Sequence, residues 1–336
     1  MSDVKVIVLL AFVLMCAPLS AQTVRQKQAA SSAPPRLSNV IEVVRPSITQ
    51  ITRIFRLPPA ERESLHLQSD RLVLGTGFIV DVANGYVITA LHVIQDGENP
   101  ILLPNGQPSH PERDEMRIGI AMPNVESKML TITAAFSVVG FKVIARDERH
   151  DLALLKTTGQ IQEVRFLQTP TQEIRVHPKV ATLFLGLLSD GDAIALSGYP
   201  LNSSVLLTTS GAIASSAAVD IKEIHRPGQP SGFTWPDIAD SYVADIHVNP
   251  GNSGGPMYLT ASGAVIGVCV NFQSAPVMTV VNGKQLPVRG PNGEPVLYNS
   301  GLGVVVPARY VAELLKQNGV SFSSTELHDR MSGSRR

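Results

Sequence analysis

Cysteine is nearly missing from this chain. There are two. The first, Cys16, lies in an apolar N-terminal block that we expect to be removed, which leaves Cys269 alone. A lone cysteine excludes an internal disulfide framework. Cys269 sits in Val265-Ile266-Gly267-Val268-Cys269-Val270, an apolar run that reads as a strand and predicts a buried core thiol rather than a nucleophile or ligand. Neither cysteine nor histidine spacing matches a metal site, so neither metal nor cofactor is expected. An excess of one charge is missing too. The 28 basic residues balance 28 acidic ones, so no global field draws the chain to nucleic acid or to an anionic membrane. Nor does the apolar block Val6–Met15 reach membrane-spanning length.

That block has another reading. Lys5 precedes it and Leu19-Ser20-Ala21 ends in a small residue, the pattern of a secretory signal. We expect residues 1–21 to be cleaved and residues 22–36, rich in Gln, Ala, Ser and Pro, to form a flexible lead-in. The mature protein is then exported, periplasmic or extracellular, with no stable membrane insertion. The alternative is an uncleaved anchor, against which Pro18 and the polar stretch from Gln22 argue. Cys16 invites a lipoprotein reading, but Met15 is large for that signal.

What the chain does have is 44% hydrophobic residues with 26 glycines and 24 prolines. That supports a packed core of many short strands joined by turns. Leu37–Val44 has a helical pattern that stops before Pro46, and Ser47–Phe55 alternates as a strand. Residues 37–190 are expected to form a first strand-rich half and residues 191–319 a second, opening at Asp192-Ala193-Ile194-Ala195-Leu196. Insertions are expected at Leu57–Asp70, Asp96–Arg117, Glu223–Asp240 and Gln273–Ser300. Pro307–Asn318 reads as a closing helix packed through Val311, Leu314 and Leu315, with Gly319 just past its end. Residues 320–336 read as a disordered tail.

The chemistry concentrates in Gly251-Asn252-Ser253-Gly254-Gly255-Pro256. A serine hydroxyl attacks only when a base takes its proton, and the tetrahedral intermediate needs backbone N–H donors aimed at its oxyanion. Gly251 permits a turn that a side chain would hinder, and Gly254 and Gly255 keep the loop uncrowded. A glycine-rich turn alone is common. Two further segments add weight. Thr89-Ala90-Leu91-His92 follows the strand-like Gly85-Tyr86-Val87-Ile88, placing His92 at a strand end. Arg149-His150-Asp151-Leu152-Ala153-Leu154 puts Asp151 at the start of another strand. The order His, Asp, Ser is that of the chymotrypsin arrangement.

Together these motifs resemble the Deg/HtrA branch of trypsin-like serine peptidases. Gly75-Thr76-Gly77-Phe78-Ile79-Val80 is similar to that family's strand leading to the histidine. Asp147 with Asp151-Leu152-Ala153-Leu154 is similar to its aspartate motif. Gly198-Tyr199-Pro200 with Thr209-Ser210-Gly211-Ala212-Ile213, and Gly301-Leu302-Gly303-Val304-Val305-Val306-Pro307, complete the match. The resemblance implies an all-β, chymotrypsin-like double β-barrel with a short C-terminal helix. It implies a Ser253–His92–Asp151 triad, an oxyanion hole of the Gly251 and Ser253 N–H groups, and hydrolysis of polypeptide substrates through an acyl-enzyme. Relatives usually continue into PDZ domains, for which too few residues remain after the closing helix. The oligomeric state is not readable.

By the same resemblance, the residue six before the nucleophile, His247, lies at the base of the specificity pocket, with Asn271 and Val304 on its walls. His247 narrows the pocket or, protonated, favours an acidic side chain; alternatively it turns away and is satisfied by backbone groups. Two other function classes stay open. One is a peptide-binding or chaperone-like module with a misaligned triad, the other a non-proteolytic esterase. Finally, Asn282-Gly283 and Asn292-Gly293 are hairpin signals, so Gln273–Ser300 is expected to form a flap beside the cleft or a surface ornament away from it.

Overall fold

The computed structural model describes residues 35–66, 69–120, 139–169, 172–203, 205–219 and 240–326. The expected signal, most of the lead-in and nearly all of the 223–240 insertion lie outside them. Helix α1 (Leu37–Val44) leads into β1 (Ile48–Arg56). After α2 (Pro59–Ser64) come β2 (Arg71–Asp81), β3 (Tyr86–Ala90), α3 (Leu91–Glu98), β4 (Arg113–Ile120), β5 (Val139–Asp147) and β6 (Leu152–Thr157). These six strands close in the order β1-β2-β3-β6-β5-β4. Closure leaves no unpaired edge, and the interior fills with Ile48, Ile51, Phe78, Ile88, Ile118 and Leu154, all fully buried.

A separate hairpin follows, β7 (Val164–Thr169) and β8 (Gln172–Val176). The second barrel uses β10 (Ala193–Gly198), β11 (Leu207–Val219), β12 (Ser241–Asp245), β17 (Leu297–Pro307), β14 (Val265–Pro276) and β13 (Pro256–Leu259), which pairs back onto β10. Its own core holds Ile194, Leu196, Ile213, Met257, Ile266, Cys269 and Val305. The architecture is therefore the expected double barrel, closed by α4 (Ala308–Gln317), whose Val311, Leu314 and Leu315 are buried. Burial pushes the Cys269 thiol up to about 12, so it stays a protonated core group.

Three boundaries differ from the sequence reading. The second sheet begins earlier than residue 191, because β9 (Thr182–Phe184) pairs with β14. The stretch read as a tail starts with ordered structure: Val320 is buried, and β18 (Ser323–Thr325) runs parallel to β9. Its serines carry no hydrophobic period; backbone pairing recruits them, with the Ser323 and Thr182 hydroxyls 3.1 Å apart. The insertion read over Asp96–Arg117 ends in β4, which pairs with β1 along its length. The Gln273–Ser300 insertion is a continuation of β14 and β17 that ends in a hairpin of β15 (Met278–Val281) and β16 (Lys284–Pro287). Asn282 and Gly283 both take positive φ, 52° and 76°, as a two-residue hairpin turn requires.

Candidate active site

Asp151 and His92 meet through both side chain and main chain. Asp151 Oδ2 lies 2.6 Å from His92 Nδ1, and Asp151 Oδ1 accepts the His92 backbone N–H at 2.8 Å. The Asp151 carbonyl also accepts the Leu91 N–H at 2.9 Å. His92 is not at a strand end but one residue into α3, which starts directly after β3. A helix start leaves its first N–H groups without partners. Ala90, at the cap position, supplies no side-chain acceptor; Asp151 does so from the β5–β6 turn. The positive end of the helix favours the carboxylate there. At the other end of α3, the buried Arg53 donates to the Asn99 carbonyl at 2.6 Å and forms a two-pronged pair with Asp114. The helix carrying His92 is thus held at both ends.

This setting decides the state of the imidazole. Burial opposes its protonation most, but the hydrogen bond to Asp151, the charge of Asp151 and that of Asp96 together outweigh it. The His92 pKa is raised from its ordinary value. Its side chain keeps 35% exposure, so the ring is open to a substrate.

The Ser253 loop is locked against the same corner. Thr76 N–H donates to the Ser253 carbonyl at 2.8 Å. A Cβ on Gly75 would lie 2.9 Å from that carbonyl and 2.6 Å from Val93 of α3, so serine main chain and histidine helix flank one glycine. Gly254 has φ of 81°, and a Cβ there would strike the Thr76 carbonyl at 2.1 Å and the Thr89 hydroxyl at 2.2 Å, with Ala90 N at 2.8 Å. Only glycine lets the loop come this close. Thr76 ties the parts together: its hydroxyl donates to the Gly251 carbonyl at 2.7 Å and accepts the Tyr199 N–H at 3.0 Å. Gly251, with φ of 97°, passes so close to the Tyr199 carbonyl that a Cβ would lie 2.3 Å from it.

The amides of the loop alternate in use. Asn252 N–H donates to the Asn249 carbonyl, Gly254 to Cys269 and Gly255 to Asn252. Among the described residues, the N–H groups of Gly251 and Ser253 have no backbone acceptor. Two free donors flanking a serine are what an oxyanion requires.

The specificity residues fall out differently. His247 is exposed. Its carbonyl accepts the Thr209 hydroxyl at 3.2 Å, but among the described residues its ring has no hydrogen-bond or ion-pair partner, so the backbone does not satisfy it. A Cβ on Gly301 would lie 3.8 Å from its Nδ1. Asn271 turns its Oδ1 onto the neighbouring Phe272 N–H at 2.8 Å. Val304 is 1% exposed and packed in the core, so its side chain forms no open wall.

Sequence reasoning missed three contributors. Thr76, in the middle of β2, and Thr89, near the end of β3, are buried hydroxyls; only Thr76 carried a signal, as a small polar residue between Gly75 and Gly77. Arg53 is an arginine buried in a strand that alternates Ile with Thr and Gln, and a buried charge needs a partner. Among the described residues no cluster of His, Cys, Asp or Glu could hold a metal, and no helix is long and apolar enough to cross a membrane.

Comparison with known proteins agrees with this geometry. A family model described as "Trypsin-like peptidase domain" matches residues 75–268, more than half of the chain. A "Probable periplasmic serine endoprotease DegP-like" of Chlamydia trachomatis is 28% identical over 217 residues, covering 64% of this chain and 31% of the relative. Proteins of the same description from Chlamydia pneumoniae and Ectopseudomonas mendocina are 29% and 26% identical, covering 64% and 63% of this chain and 32% of each relative. The chain thus spans about a third of the length of the curated relatives it matches. With its double barrel and its His, Asp and Ser segments gathered at one corner, the chain belongs to the trypsin-like peptidase family.

Proposed function

We propose that this protein is a serine endopeptidase acting through Ser253, His92 and Asp151. The observation that carries the proposal is the Asp151 carboxylate bound to both the Nδ1 and the backbone N–H of His92, beside a serine loop with two unused amides. Asp151 holds the proton on Nδ1, which leaves Nε2 as the base. His92 takes the Ser253 hydroxyl proton as Oγ attacks the peptide carbonyl. The N–H groups of Gly251 and Ser253 stabilise the oxyanion, and His92 then returns the proton to the leaving amine. Water repeats the sequence on the acyl-enzyme. The residues present complete this cycle with no cofactor.

Substrates are polypeptides, as the relatives' descriptions suggest, and the N-terminal pattern together with those descriptions supports an exported, periplasmic protein. The exposed, unpartnered His247 ring beside Gly301 supports a pocket that takes an acidic side chain when the ring is charged. The β15–β16 hairpin grows from the strands beside the site and exposes Met278, Val280, Val281 and Leu286, which fits a flap that screens substrates by size. Its shortening then raises hydrolysis of folded proteins more than that of short peptides; equal rates refute the flap. The whole reading is tested by incubating mature protein with an unstructured substrate such as casein. Wild type should fragment it and Ser253→Ala should not. Binding without cleavage by wild type would sink the peptidase reading in favour of a peptide-binding module.

A further inference from the structure

A second aspartate–histidine pair adjoins the first. Asp147, at the end of β5, accepts the His150 Nδ1 at 2.7 Å and the His150 backbone N–H at 3.1 Å. This repeats the bonding of Asp151 to His92, but within one turn. His150 is 8% exposed, and its Nε2 is buried with no hydrogen-bond partner among the described residues. No chemistry reaches that nitrogen. What the ring does contact is Tyr310 on α4, with centroids 3.7 Å apart and planes 15° from parallel. Tyr310 is anchored in turn. Its hydroxyl donates to Asp240 at 2.5 Å, and the Arg309 guanidinium lies 4.7 Å from its ring while donating to Tyr242 of β12 at 3.1 Å. Burial first, then the hydrogen bond to Asp240, pushes the Tyr310 hydroxyl up, which keeps it a donor.

The residue after His150 is Asp151, and its φ is 53°. A non-glycine residue in the left-handed region costs about 1 kcal/mol and persists only where its surroundings hold it. On its far side Asp151 continues into β6. On its near side it follows His150.

We propose that His150, clamped between Asp147 and Tyr310, is a positioning residue that fixes the left-handed main chain of Asp151 and so the aim of its carboxylate at His92. The proposal rests on the assignment of Asp151 as the orienting carboxylate. The ring is suited to the task because it joins a donor for Asp147 to a flat face for Tyr310. The clamp spans both barrels, so the register between α4 and the β5–β6 turn is transmitted to the site. The groups facing the two histidines are Asp151 and Asp96 for His92, and Asp147 and Tyr310 for His150; Glu148 and Arg149, between them in the turn, are exposed.

The test compares Tyr310→Phe, Tyr310→Ala, His150→Phe and Asp151→Asn, each checked for folding by thermal melt, with kcat and KM measured across pH. Tyr310→Phe keeps the stacked ring and should match wild type. Tyr310→Ala should lower kcat about tenfold with little change in KM, as a misaimed catalytic group does. Its acid limb should also move to lower pH, because a slackened Asp151 bond leaves His92 less basic. His150→Phe keeps the ring face but loses the Asp147 bond, and should move the limb in the same direction. A Tyr310→Ala protein that melts earlier but keeps the wild-type kcat and limb overturns the proposal, since the contact is then structural only. So does a Tyr310→Phe protein that behaves like Tyr310→Ala, which would place the effect in the Asp240 bond. If Tyr310→Ala does not fold, an unmoved limb in His150→Phe overturns it equally. An active Asp151→Asn protein would instead remove the underlying triad assignment.

Discussion

The two aspartate–histidine pairs share a hydrogen-bond pattern and differ in everything around it. Asp147 and His150 are three residues apart in one turn, and the imidazole is sealed under Tyr310. Asp151 and His92 are separated by 59 residues, lie on different elements, and leave the imidazole 35% exposed beside the serine loop. A carboxylate gripping both the ring and the backbone of a histidine is therefore a way of fixing an imidazole, not a catalytic signature by itself. Chemistry needs the second nitrogen to be open, with a nucleophile and oxyanion donors within reach. Of the two pairs, the long-range one leaves its imidazole open, and its helix shares a corner with the Ser253 loop.

Breaking the open pair should have the largest effect. Asp151→Asn replaces the carboxylate that accepts the Nδ1–H bond with an amide that can donate to Nδ1 and favour the wrong tautomer, and turnover should fall by about 10⁴, measured by steady-state hydrolysis of a peptide substrate. Stability should respond with a definite sign. The His92 pKa is raised in the folded protein, so its contribution is present below the unfolded value, about 6.5, and fades as pH rises through the folded value. Asp151→Asn should therefore lower Tm more near about pH 5 than near about pH 8. A pH-independent change would contradict the pairing.

Next comes the corner that distinguishes the open pair from the sealed one. A side chain on Gly254 meets main chain at 2.1 Å at a positive φ, and neither Thr76 nor Ala90 can retreat without opening β2 or β3. Gly254→Ala should cost about 3 kcal/mol or more and displace the Ser253 loop. A chemical melt showing wild-type stability would mean the loop is not wedged there.

The sealed pair should matter less. Asp147→Ala removes a charge-assisted bond to a partly buried partner, at about 1–2 kcal/mol, and lowers kcat without abolishing it; loss as complete as in Asp151→Asn would erase the distinction. Smallest of all, Cys269→Ala trims a core thiol at a cost of about 1 kcal/mol, with activity retained. Inactivation would reopen a catalytic role for sulfur.

The sequence made the long-range pair legible because the segments around His92, Asp151 and Ser253 are local patterns whose order resembles the chymotrypsin arrangement. Individual strands followed from alternating apolar runs, both barrels from the family resemblance, and the Asn282-Gly283 turn from its residue types. What stayed hidden depended on distant partners. His92 reads as a strand end because its helix is capped by Asp151 from another turn, not by a neighbour. His150 reads as a bystander because its stacking partner lies 160 residues later, on α4. Ser323–Thr325 joins a sheet through main-chain pairing and one hydroxyl contact to Thr182, which no hydrophobic pattern reveals. Val304 lies on the expected strand, but strand periodicity does not say which face meets the core.

The central claim is that Ser253 is an activated nucleophile, and covalent labelling tests it most directly. A fluorophosphonate probe needs an activated serine and an oxyanion hole but no known substrate. Intact mass and peptide mapping should show one adduct on the wild-type protein, at Ser253, and none on Ser253→Ala. Unlabelled wild-type protein, or an adduct that persists in Ser253→Ala, would contradict the account.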